Sequence, residues 1–382
     1  MIGVNPLECK ILVLGYRWAL IEKLHRRGLS FAVWAAKKPK RKKIDFRLYV
    51  APFPKKKTPL LESYVSFFGP ESFTHVLACT EESVVPASHL RAFFGVKRFP
   101  KQIARRCHNK IIMKKFLHRK HIPMSTFMVS PKDPDALEKN LGLPCISKLA
   151  NLSGGKSFLI HPSKESLQPW CQKKRIFESF LEGKEYSVES LIRDREIVFE
   201  NVTEYYEKGR VNILPGHLPD EVKRVILDLN QKVVRDLGIV WGLTHAEFFV
   251  GPKGVFFGEI ALRPPGGYIM ELISLAYGED FWGRFLDVEL GIPFTKIPEP
   301  KYVVASVMDH QRDEGYYEKP KRWESLQNMK STVKARHVVK IGQTLSKQQS
   351  ISDLTGYVIH RCKDRQEVLD AIESTRSIFR GE

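Results

Sequence analysis

The stretch THAEFFVGPKGVFFGEIALRPPGG, residues 244–267, has two apolar segments on either side of a Gly-Pro-Lys-Gly turn. This pattern predicts a β-hairpin whose arms each carry one acidic residue, Glu247 and Glu259. A three-residue loop ending in a glycine at positive φ would pair Gly251 with Val255 and put both carboxylates on one face. Facing carboxylates repel each other unless a divalent cation such as Mg²⁺ neutralises them. The hairpin alone equally allows a two-residue turn, which would put the two glutamates on opposite faces as ordinary surface residues.

A glycine-rich stretch upstream, ANLSGGKS at residues 150–157, satisfies the loose pattern of a phosphate-binding loop. Such a loop joins a strand to a helix, but the residues that follow here, SFLI, predict a second strand. We therefore expect a flexible hairpin tip. Its Ser153, Gly154 and Gly155 would bring main-chain amides to phosphate oxygens, and Lys148 in the preceding strand would add a positive charge.

The residues before this stretch predict a different kind of structure. Three apolar runs, KILVLG (10–15), FAVWA (31–35) and THVLAC (74–79), are typical of buried strands, and helical spacing follows the first of them. The first hundred residues therefore predict a small parallel α/β unit. Its first turn contains only Gly15 and lacks the GxGxxG pattern, so nothing in the sequence supports nucleotide binding there.

Positive charge is concentrated in the N-terminal part of the chain. The whole chain has a formal net charge of +19, yet residues 1–147 hold 28 basic and 10 acidic residues, whereas residues 148–382 hold 34 and 33. A field of this kind attracts anions, so binding of nucleic acid or another polyanion stays open as a function of a different class. The sequence has no RNP or helix-turn-helix pattern, and the aromatic residues between the basic ones are more typical of a core.

Length and composition set the remaining limits. With 382 residues, 43% hydrophobic and 27% charged, the chain is expected to form two or three packed domains rather than a disordered or fibrous structure. Because no apolar run is long enough to span a bilayer and the N-terminus has no signal segment, we expect a cytoplasmic protein. The six cysteines are scattered and form no CxxC pair, so we expect buried, reduced thiols.

The order of these features resembles the ATP-grasp superfamily over roughly residues 107–299. The resemblance implies an α/β (α+β) fold in which a Rossmann-like N-terminal domain precedes the ATP-grasp domain and a small C-terminal α+β extension follows it. The implied segments are the N-terminal domain at 1–106, the small lid subdomain at 107–182, the large subdomain at 183–300 and the extension at 301–382.

The resemblance also implies contacts with ATP. The residues that would contact the nucleotide are Lys110 and Lys148 at the phosphates, Glu178, Ser179, Phe180 and Leu181 at the adenine base, and Glu185 at the ribose.

A second set of residues would serve the metal and the chemistry. By resemblance, Glu247 and Glu259 are the Mg²⁺ ligands and Arg263 steadies the substrate carboxylate or its acyl phosphate. The family often has an asparagine two residues after the second acid, where this chain has Ala261, which cannot ligate a metal. His217, in the turn-rich segment ILPGHLP, would contact substrate or act as a base, and a hydrogen-bonded loop histidine is the alternative interpretation.

The function implied is that of an ATP- and Mg²⁺-dependent ligase, which activates a carboxylate as an acyl phosphate and transfers it to an amine. The RPPGG ending is more like the amino-acid ligases of the superfamily. The segment EIALRP is similar to the EIAPRP of its purine-pathway carboxylases, so bicarbonate activation stays open as an alternative. Small-molecule carboxylates and amines are the expected partners, a homodimer is left open, and no membrane partner is expected.

Overall fold

The computed structural model describes residues 9–39, 44–96, 100–131, 133–151, 157–171, 173–311, 313–348, 350 and 353–381. The strands are β1 (Lys10–Leu14), β2 (Ser30–Ala35), β3 (Arg47–Val50), β4 (His75–Ala78), β5 (Phe127–Val129), β6 (Cys145–Lys148), β7 (Leu159–His161), β8 (Ile176–Ser179), β9 (Lys184–Arg193), β10 (Glu196–Glu207), β11 (Val211–Leu214), β12 (Gly242–Gly251), β13 (Gly254–Ala261), β14 (Val303–His310), β15 (Gly315–Tyr316), β16 (Thr332–His337), β17 (Thr344–Leu345) and β18 (Leu354–Cys362).

Helices cover the sheets and connect them. They are α1 (Trp18–Arg26), α2 (Lys57–Phe68), α3 (Val84–Phe93), α4 (Lys101–His108), α5 (Lys110–His118), α6 (Pro134–Leu141), α7 (Lys164–Leu167), α8 (Asp220–Leu237), α9 (Ile269–Tyr277), α10 (Phe281–Leu290), α11 (Trp323–Asn328) and α12 (Arg365–Arg380). None of the helices in the described part of the chain is long and apolar enough to cross a membrane.

The N-terminal residues form a four-stranded parallel sheet in the order β3-β2-β1-β4. This is the parallel α/β unit that the apolar runs predict. The runs miss β3, because RLYV is short, lies at the edge of the sheet and has only half-buried or exposed residues. Since β2 and β4 flank β1 on opposite sides, the strand order reverses between β1 and β4, and the loops that follow these two strands meet at one edge of the sheet.

A second four-stranded sheet, in the order β5-β8-β6-β7, lies between the N-terminal unit and the rest of the chain in sequence. Its β6 and β7 pair in antiparallel fashion, with Cys145 opposite His161. The glycine-rich stretch therefore joins two strands of one hairpin, as predicted, and does not lead into a helix. The tip with Ser153, Gly154 and Gly155 lies outside the described residues.

The largest sheet has eight strands in the order β13-β12-β9-β10-β11-β14-β18-β16. Strands β14, β16 and β18 come from the C-terminal residues, and they continue the sheet that begins with β9. The domain boundary expected at residue 300 therefore does not separate two sheets, because strands on both sides of it belong to one sheet. All six cysteines are buried, and none of them forms a disulfide within the described part of the chain, as expected.

Candidate active site

The β12-β13 hairpin brings its two glutamates together through a shift in strand register that the sequence did not predict. Gly251 pairs with Gly254, so the turn has two residues, and the expected pairing of Gly251 with Val255 is wrong. A two-residue turn alone would put the carboxylates on opposite faces. The register shifts by one residue between the turn and the acids, however, and Glu247 lies opposite Glu259. The prediction that the two glutamates face each other is therefore confirmed.

Gly258 is the extra residue that causes this shift. A β-bulge inserts one residue in one strand, so every side chain beyond it changes face relative to the turn. A Cβ atom on Gly258 would lie 3.0 Å from a ring carbon of Phe249 and 3.1 Å from the main-chain oxygen of Glu247. The bulge can form in this close packing because residue 258 has no side chain.

Two lysines point at the same acidic pair. The Nζ atom of Lys110, at the start of α5, lies 3.1 Å from Oε2 of Glu259. The Nζ atom of Lys148, at the end of β6, lies 3.8 Å from the same oxygen and 2.9 Å from Oε1 of Glu178. Burial alone would lower the pKa of Lys148, but Glu178 and Glu259 raise it above its ordinary value. Both lysines predicted to reach phosphates thus lie beside a predicted metal ligand, Glu259.

Glu178 belongs to a buried ion-pair network with Lys114 and Lys148. Glu178 and Lys148 were identified from the sequence, but Lys114 was not. Its side chain is 4% exposed, and its second oxygen lies 2.9 Å from Nζ of the fully buried Lys114. Ser125 donates a hydrogen bond to the same oxygen at 2.8 Å, and Lys114 donates one to Ser125 at 2.9 Å. Burial alone would raise the pKa of Glu178, but Lys114 and Lys148 lower it to about 2. Lys114 could have been found from its position one helical turn after Lys110, on the buried side of α5.

Replacing Lys114 by methionine is expected to destabilise the fold. Removing one partner of a buried ion pair typically costs 3–5 kcal/mol, and because Glu178 keeps Lys148 we expect the lower end, about 3 kcal/mol. Lys115→Met, one residue further along α5 on its exposed side, is the matched control and should change little. Urea unfolding of both variants measures the difference, and equal midpoints would contradict this account of Glu178.

Glu185 lies on the other side of the acidic pair. Lys208 approaches one of its oxygens at 2.6 Å, while the other oxygen is buried and has no hydrogen-bond partner among the described residues. Burial raises the pKa of Glu185, and the negative charge of Glu247 raises it further. A buried carboxyl oxygen without a partner is costly, so this atom is suited to accept a hydrogen bond from a bound molecule.

A network behind Glu247 fixes its position. The Nε2 atom of His245 lies 3.7 Å from Oε1 of Glu247, and its Nδ1 atom lies 2.8 Å from Oε1 of the fully buried Glu189. The Tyr205 hydroxyl donates a hydrogen bond to Oε1 of Glu247 at 3.4 Å. Burial would lower the pKa of His245, but hydrogen bonds to the two glutamates raise it to about 9. Burial would likewise raise the pKa of Glu247, but His245 brings it well below its usual range. Sequence reasoning did not single out His245, although its spacing of two from Glu247 puts both on one face of β12.

The chemistry of this cluster suits a magnesium-bound phosphate group. Within the part of the chain that the structure describes, no group of three or more His, Cys, Asp or Glu side chains could hold a metal ion. Mg²⁺ commonly binds through one or two protein carboxylates together with substrate phosphates and water, so the facing pair of glutamates fits this ion. The two lysines beside the pair supply positive charge for phosphate oxygens.

Comparisons with known proteins show which sequences and folds this chain is similar to. No protein-family profile matches the sequence. An L-arginine-specific L-amino acid ligase of Bacillus subtilis is 28% identical over 239 residues, which are 57% of this chain and 58% of that protein. The chain thus spans little more than half the length of that relative. The structure of an L-amino acid ligase from Bacillus licheniformis superposes with a TM-score of 0.82 at 16% identity and covers 98% of both chains. An N5-carboxyaminoimidazole ribonucleotide synthetase from Thermotoga maritima gives 0.76 at 19% identity, over 97% of this chain and 98% of that one.

The chain has the ATP-grasp fold. In this fold the small sheet and the large sheet are joined between β8 and β9, by the segment predicted to hold adenine. The Ser179 amide donates to Thr126, and Phe180 is 46% exposed. Gly183 has φ of 138°, and a Cβ atom there would lie 2.2 Å from the main-chain oxygen of Val250, so the segment crosses the β12-β13 hairpin in close contact.

Arg263, two residues after β13, contacts the loop that follows β4 of the N-terminal sheet. Its Nε donates to Glu81 at 2.9 Å, and its Nη1 donates to the main chain of Pro264. Glu81 also contacts His108 at 2.8 Å. Burial would raise the pKa of Glu81, but His108 and Arg263 lower it to about 2. Sequence reasoning missed Glu81, although it follows β4 directly at the carboxyl edge of a parallel sheet, where ligands of such sheets bind.

His217 lies in the loop between β11 and α8 and is exposed. Its main-chain amide donates to Glu204 at 3.2 Å, and its carbonyl accepts a hydrogen bond from the Tyr186 hydroxyl at 3.3 Å. The loop is therefore anchored through its main chain, next to the strand that carries Glu185.

Proposed function

We propose that this protein is an ATP- and Mg²⁺-dependent ligase, which joins a carboxylate to an amine through an acyl phosphate. The observation that carries the proposal is the facing pair of Glu247 and Glu259 with Lys110 and Lys148 beside it. Phosphoryl transfer requires little covalent help from an enzyme. It depends on positioning and on neutralising the charge of the phosphate oxygens. Two lysines and a metal-binding pair of acids are the groups that this task requires.

We assign the nucleotide contacts as follows. Glu247 and Glu259 would hold Mg²⁺, which neutralises charge on the phosphates when it is bound. Lys110 and Lys148 would contact phosphate oxygens, and the unpaired oxygen of Glu185 would accept a hydrogen bond from a ribose hydroxyl. The segment Glu178, Ser179, Phe180 and Leu181 would contact adenine, with Glu178 itself oriented by its lysines. Ser153, Gly154 and Gly155 would cover the phosphates and exclude water from the reaction.

Neither of the two chemical steps requires a covalent bond between the substrate and the protein. A carboxylate oxygen attacks the γ-phosphorus of ATP, the bond to the bridging oxygen breaks, and ADP leaves. The amine nitrogen then attacks the acyl carbon, the bond from that carbon to the phosphate oxygen breaks, and inorganic phosphate leaves. The nitrogen gives up one proton, for which we propose His217 as acceptor. Arg263 would hold the acyl group by its planar guanidinium.

The substrates that we propose first are amino acids, both as acid and as amine. The relative from Bacillus subtilis and the neighbour from Bacillus licheniformis both carry the name of L-amino acid ligases, which supports this choice. Bicarbonate is the second candidate acid, because the synthetases of N5-carboxyaminoimidazole ribonucleotide have the same fold.

A phosphate-release screen tests this proposal. The purified chain is incubated with ATP and Mg²⁺ against pairs of L-amino acids, other organic acids and bicarbonate, and products are identified by mass spectrometry. We expect phosphate release that requires both ATP and an acid-amine pair, with formation of an amide. No release with any pair, together with no effect of ATP on the melting temperature, would contradict the proposal.

Gly258→Ala is expected to separate the two glutamates. The added methyl group would lie 3.0 Å from a ring carbon of Phe249 and 3.1 Å from the Glu247 main-chain oxygen, so these neighbours must move by a few tenths of an ångström, and we expect the bulge to shift and displace Glu259 relative to Glu247. Overpacking of this kind costs about 1–3 kcal/mol of stability. We expect loss of most ATP turnover at temperatures where the variant stays folded. Gly315→Ala in β15 is the control, because a Cβ there meets only a side-chain atom at 4.0 Å. Full turnover in Gly258→Ala would show that the bulge is dispensable.

Two further proposals concern the whole protein. We propose that the basic excess of residues 1–147 draws anionic molecules to the N-terminal unit, and that the chain forms a homodimer. Binding of a DNA or RNA oligonucleotide at increasing salt tests the first, because each phosphate contact adds to the salt dependence. Light scattering tests the second.

A further inference from the structure

Arg17 is a half-buried arginine that the proposed reaction does not yet use. It follows β1 and immediately precedes α1, at the point where the strand order of the N-terminal sheet reverses. Its Nε donates to the main-chain oxygen of Cys79, after β4, at 3.2 Å. Its Nη2 lies 3.5 Å from the main-chain oxygen of Pro265, in the RPPGG segment. The side chain therefore spans the crevice between the N-terminal sheet and the ATP-grasp domain.

Main-chain oxygens orient this guanidinium but do not neutralise it. Among the described residues, no carboxylate oxygen forms an ion pair with Arg17 within 4.0 Å. Its neighbour in the crevice, Arg263, is paired with Glu81 at 2.9 Å. Burial lowers the pKa of Arg17, as does Arg263, whereas Glu271 raises it, although Glu271 forms no ion pair with Arg17 among the described residues. The crevice thus holds a fixed positive charge that suits the planar group of a carboxylate.

The order of groups along the chain indicates which substrate would meet Arg17. Glu259 is one of the two proposed metal ligands, and Arg263 follows it four residues later. Pro265, whose main-chain oxygen contacts Arg17, is two residues further on. Two residues span at most about 7 Å, which is the scale of one amino acid. In the proposed reaction Arg263 holds the acid that reacts with ATP. Arg17 is a second guanidinium that interacts electrostatically with Arg263 and has no ion pair among the described residues, so it is left for the other substrate, the attacking amine.

We propose that Arg17 binds the free carboxylate of the amine substrate, so that the acceptor is an amino acid rather than a simple amine. This inference rests on the proposed ligase function and adds to it a specificity residue for the amino-acid acceptor. The acceptor carboxylate takes no part in the bonds that form and break. Its contact with Arg17 would hold the acceptor nitrogen towards the acyl carbon, since positioning of this kind makes the second step effectively intramolecular.

The test compares each L-amino acid as acceptor with its own C-terminal amide. The amide has the same amine and side chain but no free carboxylate, so it can act only as acceptor. For the wild-type protein we expect the free acid to be used more efficiently than the amide. For Arg17→Gln we expect KM of the free-acid acceptor to rise by about 10- to 100-fold, the range of a charged hydrogen bond, with KM of the amide and of ATP unchanged. Arg17→Lys should restore part of the preference.

Arg26→Gln is the matched control, because Arg26 lies on the same helix with its side chain 64% exposed and paired with Glu22. It should behave as the wild type. An equal loss with acid and amide in Arg17→Gln would make Arg17 a structural residue and overturn the inference. A wild-type protein that uses amides as well as acids would overturn it too, whether or not the variants fold. Absence of any amide product and any phosphate release in the wild type would instead refute the proposed function itself.

Discussion

Glu247→Gln is expected to lower kcat for ATP-dependent phosphate release at least about a hundredfold, because loss of one preorganised electrostatic group commonly costs 10²–10³ in rate. The substitution keeps the shape of the side chain and its hydrogen bond with Tyr205, but it removes the negative charge opposite Glu259. A neutral amide oxygen is a poor ligand for Mg²⁺. Glu259→Gln should have an effect of similar size, since the two carboxylates face each other across one pair of strands.

The folded state should survive this change. Glu189 still pairs with His245 at 2.8 Å, and Glu185 is relieved of the repulsion that raises its pKa. We therefore expect a melting temperature near that of the wild type. Glu196→Gln, at the exposed start of β10, is the matched control for loss of one glutamate charge. If Glu247→Gln retained a tenth or more of the wild-type kcat at saturating Mg²⁺, Glu247 would not be a metal ligand.

Lys148→Met is expected to weaken nucleotide binding more than any other change in the small sheet. A charged hydrogen bond to phosphate contributes about 1.5–3 kcal/mol, which corresponds to roughly a 10- to 100-fold rise in Kd for ATP. Calorimetric titration with ATP and Mg²⁺ in the absence of acid substrate measures this value.

The difficulty with Lys148 is that it also pairs with the buried Glu178, so its loss affects the fold as well. Lys114→Met provides the comparison, because Lys114 contacts the other oxygen of the same carboxylate at the same distance of 2.9 Å. Unlike Lys148, it has no contact with Glu259 within 4.0 Å among the described residues. Both variants should lose stability, and only Lys148→Met should lose affinity for ATP. Equal affinities in the two variants would mean that Lys148 serves the fold alone.

The fold was predictable where burial controls the sequence pattern. The apolar runs of β1, β2 and β4 are buried apart from the first one or two residues of each strand, and a run of this composition is typical of a buried strand in a parallel sheet. Strand β3 was missed because its half-exposed residues carry no such signal. The continuation of the large sheet through β14, β16 and β18 was also missed, since a strand's sequence does not state which sheet it joins.

The site was predictable in part from local pattern and in part from resemblance to a family. Glu247 and Glu259 were predicted from the hairpin pattern, Lys148 from its place before the glycine-rich stretch, and Lys110 from the resemblance to the ATP-grasp superfamily, and the structure brings all four together. The bulge at Gly258 could not be predicted, because a glycine between two strand residues is compatible with regular pairing. Pairings between distant elements, such as Glu81 with Arg263, depend on the folded chain, because the position of Glu81 after β4 indicates an edge of the sheet but not that Arg263 lies beside it.

The position of the metal ion tests the central claim most directly. A crystal of the protein with Mn²⁺ and a non-hydrolysable ATP analogue would give an anomalous difference peak at the ion. We predict one peak within coordination distance of a carboxylate oxygen from each of Glu247 and Glu259, with Lys110 and Lys148 on the phosphates. A peak held by only one of the two glutamates, or by neither, would contradict the account.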